Sequence, residues 1–207
     1  MSSVSTTSAM SPASIFRWSG IALLLGGAFA ALGNVGQAIN DNPQSAIWGP
    51  ASLAIAVGLL LVVLGLPALY ARQMKQLGKL GLAGFALFLL ACVLFGGSSG
   101  LTDLVLLPMM SPTALNNPPT AFILYFLIAK ALILIGSVVF GIALLRAGVV
   151  SKGSAILLLV GGVLFIVGGR THVPYLDYVG EALFFLSFVW LGISLLTAPQ
   201  GTQAAPR

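Results

Sequence analysis

Along most of this chain apolar residues run unbroken, and polar residues gather in short breaks between the runs. Six apolar stretches stand out, at about 18–38, 47–70, 79–98, 121–146, 153–170 and 175–197. Each approaches the roughly 20 residues that a helix needs to cross a hydrocarbon core about 30 Å thick. Lipid admits only helices or closed barrels, and the strict two-residue alternation of a barrel strand is absent. The pattern therefore predicts an all-α integral membrane protein, a six-transmembrane-helix bundle over residues 16–198. A Ser/Thr/Ala-rich tail (1–15) and a polar tail (199–207) flank it, both expected to be disordered. The first run carries a complication. Arg17 precedes it, and "AFA" at 28–30 has the small-x-small form of a leader cleavage site. The run continues to about Ile39, and the segment before Arg17 is long and uncharged, so retention as a helix is the expectation.

Composition agrees with the pattern. Of 207 residues, 58% are hydrophobic and 6% charged, and the mean hydropathy is +1.08. A soluble domain carries about a quarter charged residues, so this chain cannot cover a globule with polar surface, and its first partner is the lipid bilayer. The formal charge of +5 contains no basic run and no basic-aromatic interleaving, which excludes nucleic acid as a partner. The single cysteine, Cys92, lies in an apolar run and can form no intramolecular disulfide.

Charge is sorted along the expected membrane normal. With six spans, Arg17, Arg72, Lys75, Lys79, Arg146, Lys152 and Arg207 fall on one side. The positive-inside bias makes that side cytoplasmic, with both termini there, in a plasma membrane of the bacterial type. All four acids, Asp41, Asp103, Asp177 and Glu181, fall on the other side or in the outer half, together with Lys130 and Arg170.

The runs also resemble one another. "GLPALYA" (65–71), "GIALLRA" (141–147) and "GISLLTA" (192–198) end the second, fourth and sixth runs alike. "IALLLGGAFAALG" (21–33) and "ILLLVGGVLFIVG" (156–168) share an internal Gly-Gly and a closing Gly. Three repeated helical hairpins, 17–71, 79–147 and 152–198, account for this, although Gly, Ala and Leu dominate any membrane helix. The glycines fit close helix packing. Pro67 is expected to kink the second helix. The loop 98–120 is long, and its centre "LVLLPMM" is apolar but too short to span, so it is read as an interfacial or re-entrant segment capped at Thr102 or Asp103.

Chemistry has few places to reside. Lys130 sits alone in "FLIAKALIL", about nine residues or 13 Å into its helix. A charge in such a place marks a site or demands a partner. Glu181, about six residues into the last helix, lies at matching depth, and a buried Lys130–Glu181 pair is expected. Asp177 shares the face of Glu181 one turn away. Arg170 and His172 flank the preceding turn, and Asp103, Asn34 and Gln37 lie at the same end of the molecule. This cluster suits a small polar or anionic ligand. His172 with Asp177 and Glu181 mixes metal donors, but a lone histidine beside a helix start is more often interfacial, and no metal or cofactor is expected. A lysine Schiff base lacks an evident aromatic pocket, and no nucleophile-elbow, Walker, HExxH or CxxC pattern occurs. Three functional classes remain: a small transporter or ligand-binding membrane protein, a structural or assembly subunit packing on partner subunits or on copies of itself, and, weakest, an intramembrane enzyme on a lipid or quinone.

Overall fold

The computed structural model describes residues 12–148, 150–169, 173 and 175–197. Among these the chain is helical, with no strand. The principal helices are α1 (Pro12–Ile39), α2 (Trp48–Ser98), α5 (Thr120–Ala147), α6 (Lys152–Gly168) and α7 (Leu176–Thr197). Between α2 and α5 lie a π-helical segment (Ser99–Leu106) and two short turns, α3 (Leu107–Met109) and α4 (Pro112–Asn116). Four helical stretches are long and apolar enough to cross a membrane: Ala13–Ile39, Trp48–Met109, Thr120–Ala147 and Leu176–Thr197. The molecule is thus a membrane protein by its apolar helices.

The stretch from Trp48 is not one rod. As a straight helix, the 51 residues of α2 would reach about 77 Å. At Gly78 the backbone leaves helical space, with φ 59° and ψ −160°, and the chain doubles back. Gly96 then lies against Leu59, and Gly100 against Ala56. At the far end the Trp48 indole donates to the Asp103 carbonyl at 2.7 Å. We refer to residues 48–77 and 79–98 as the first and second arms. This corrects the expected loop around Arg72, Lys75 and Lys79, all of which lie in helix. The break expected at Pro67 is likewise at Gly78, and Pro67 keeps helical dihedrals.

Helices that are neighbours in the chain order pack antiparallel, and so do α7 and α1. In α1, Gly26 faces Gly58 and Val62 of the first arm, while Gly27 faces Phe185 and Val189 of α7. The second arm meets α5 through Gly84 on Phe140 and Gly136 on Phe88. Gly162 brings α6 onto Ser137 of α5, and Gly161 brings it onto Phe184 of α7. Taken in order, α1, the two arms of α2, α5, α6 and α7 close a ring, with α7 returning to α1. Small residues at the seams have a physical cause. Lipid is as apolar as leucine, so helices associate through close van der Waals contact, which a missing Cβ permits.

Phenyl rings fill the inside of the ring. Phe88 stacks on Phe140 at 5.8 Å between centroids and meets Phe184 edge-on at 5.8 Å. Phe188 and Phe165 extend the cluster, and Phe95 packs edge-on against Phe165 at 5.4 Å. The core is packed here. The expected capping at Thr102 or Asp103 is not found: both lie inside the π-helical segment, and the side-chain cap is Ser111, accepting from the Ala114 amide at 3.3 Å. α1 begins at Pro12, earlier than the pattern placed it.

Candidate polar site at the acid-bearing end

Glu181 lies one turn into α7 and faces the ring, on the stripe that also holds Gly180, Phe184 and Phe188. It is 8% exposed. α1 reaches it because Gly27 and Gly192 let α1 and α7 approach backbone to backbone. The partner is Asn34, 1% exposed, whose amide nitrogen donates to Glu181 Oε2 at 2.8 Å. The other carboxylate oxygen makes no hydrogen bond among the described residues. The charges near enough to act on Glu181 are Asp103, Lys130 and Asp177.

Gln37, one turn beyond Asn34, turns to the other neighbour of α1. Its Nε2 donates to Ser52 Oγ at 3.0 Å in the seam with α2. A step of three residues has thus sent two amides from one helix to two different contacts. Asp177 is half-buried beside Gly168, with Oδ1 accepting from the Tyr178 amide at 3.0 Å. Asp103, also half-buried, is held to the ring through its carbonyl and Trp48. Arg170 and His172 lie outside the described residues.

Lys130 does not reach Glu181. Its Nζ lies over the Phe165 ring, 5.7 Å from the centroid, close to Gly169 at the end of α6. Lys130 instead opens into a cleft of about 170 Å³ between α5 and α6, lined by Leu127, Ala131, Leu134, Ile166 and Gly169. The expected single cluster is therefore two features: an Asn34–Glu181 contact inside the ring and a lysine in its wall.

Sequence reasoning missed several groups. Ser52 is fully buried as the acceptor for Gln37, and nothing about a serine among alanines and leucines signals that. Gln73, 2% exposed, lies where a loop was expected, and its Oε1 has no partner. Next to it, Arg72 donates to the Leu195 carbonyl of α7 at 2.9 Å. The phenyl cluster could have been suspected from the spacing of Phe184 and Phe188, but not its cross-ring partners. Among the described residues no three His, Cys, Asp or Glu side chains gather as metal ligands would. No family model matches the chain, and neither a curated protein nor a solved structure does.

Proposed function

We propose that this chain is a small six-span transporter or ligand-binding membrane protein, and that its site is the Asn34–Glu181 contact. The observation that carries this reading is a carboxylate buried in an apolar bundle, held by one amide, with its second oxygen unbonded among the described residues. Burying such a group is costly unless it has work to do or partners on every side. The unbonded oxygen suits a proton or a small polar ligand carrying a hydrogen-bond donor. The phenyl cluster between this end and the other then acts as the closed barrier of an alternating site.

Six crossings follow if each arm of α2 spans separately and α6, at 17 residues or about 25 Å, spans with local thinning of the bilayer. A three-hairpin origin has support in the packing. Gly26 and Gly161 each face their own hairpin partner, while Gly27 and Gly162 each face the helix before them in the ring. The orientation proposed is both termini in the cytoplasm of a bacterial-type cell, by the positive-inside bias. The subunit alternative loses its main feature, because the glycine faces it needed for partners are spent on contacts within the chain.

The test is proton uptake by proteoliposomes under a potassium diffusion potential. The native chain should acidify the lumen, and Glu181→Gln should abolish this while eluting as a folded species. Equal flux from both proteins would end the reading.

A further inference from the structure

Among the described residues the wall of the ring is notched beside α6. α5 starts at Thr120, yet no residue from 120 to 128 is buried, and its buried positions begin at Ala129. Its neighbour on that side, α6, ends at Gly168. A methyl placed on Gly169 would stand 3.9 Å from Lys130 Nζ, so the end of α6 is level with Lys130. α5 therefore rises past α6 by about ten residues, or 15 Å. α5 also meets α6 less extensively than it meets α2. Lys130 lies on the floor of this notch, in the cleft already described.

Lys130 makes no ion pair among the described residues, which include all four acids of the chain. What it has is the face of Phe165 and the C-terminal end of α6, where the helix dipole carries a fraction of a negative charge. Neither neutralises an ammonium. The surfaces around the notch are apolar and open outward: Ile123, Leu124 and Leu127 are each about half exposed. An occupant must thus bring a negative charge to Lys130, carry apolar substance for the walls, and arrive sideways through lipid. A dissolved anion meets the first condition only.

We propose that the notch holds an anionic phospholipid of the surrounding leaflet, its phosphate on the Lys130 ammonium and an acyl chain along Leu127, Leu134 and Ile166. Basic groups near the membrane surface attract anionic headgroups, and α6 ends level with Lys130. The site is separate from Asn34 and Glu181 and stands whether or not they transport anything.

The probe is spin-labelled phosphatidylglycerol, compared with spin-labelled phosphatidylcholine, in phosphatidylcholine nanodiscs holding the full chain. The native chain should immobilise the glycerol lipid with roughly fivefold preference, the value expected for one basic contact near the surface. Lys130→Gln should remove the preference, and Lys130→Arg should keep it. Ala131→Trp, which fills the cleft from an exposed position and leaves the charge in place, should also remove it. Equal immobilisation of both labels by the native chain overturns the proposal. So does a preference that survives Lys130→Gln in a chain with native elution and helicity. If Lys130→Gln does not fold, Ala131→Trp decides: preference kept overturns, preference lost supports. A preference shown only by spin-labelled stearate assigns the notch to a free fatty acid and overturns the phospholipid.

Discussion

Asn34 and Glu181 form a side-chain bond between buried partners 147 positions apart in the chain. A buried acceptor that loses its donor costs about 1–3 kcal/mol, more when it is charged. A double-mutant cycle on unfolding free energy in micelles separates this contact from the one the sequence suggested. Asn34→Ala and Glu181→Ala should couple by about 1–3 kcal/mol, because they share one bond. Lys130→Met and Glu181→Ala share no bond, only a charge–charge interaction at a distance, and should couple less than the amide pair does. Coupling as large as the amide pair's would mean that the two charges meet in the membrane. The depth of both charges was legible in the sequence, since rise per residue is fixed. Their separation was not, because depth says nothing about which helices are neighbours.

Between Gln73 and Gly84 the sequence contains no proline and no run of turn residues, only two glycines, and helix persists on both sides of Gly78. The reversal rests on one residue in a region of backbone space essentially reserved for glycine. A Cβ on Gly78 would touch nothing within 4 Å, so any penalty there is conformational. Gly49, in the same helix, also has open space around it but ordinary dihedrals. Gly78→Ala should therefore destabilise by about 1–3 kcal/mol, while Gly49→Ala should be neutral or stabilise by up to about 1 kcal/mol. Equal effects, read from thermal unfolding in detergent, would remove Gly78 as the pivot. At this scale the hydropathy pattern placed the ends of α5 and α7 within a residue or two and missed the continuity of α2. Apolar runs report where lipid begins and ends, and a helix that extends past the lipid before turning leaves no mark in them.

The whole molecule is a ring of antiparallel helices closed by α7 on α1, with phenyl rings inside and acids at one end. Closure of the ring is what buries Asn34 and Glu181, while Lys130 stays half-buried between α5 and α6. The proposed topology is checked with single cysteines in a Cys92→Ser background, probed in intact cells with a membrane-impermeant maleimide. Positions 42 and 117 should label, and positions 5, 75 and 203 should label only after the membrane is opened. Labelling of position 75 together with 42 would mean that the two arms of α2 do not cross. By itself the sequence determined class: apolar runs of bilayer length fix helices in lipid. Which helices touch was decided only in the tertiary structure, because runs that are apolar all round carry no stripe to say which face meets which neighbour. That choice fell to individual glycines and phenylalanines meeting across seams. It gave Glu181 an amide instead of an ammonium and left Lys130 over the Phe165 ring, in a cleft between α5 and α6.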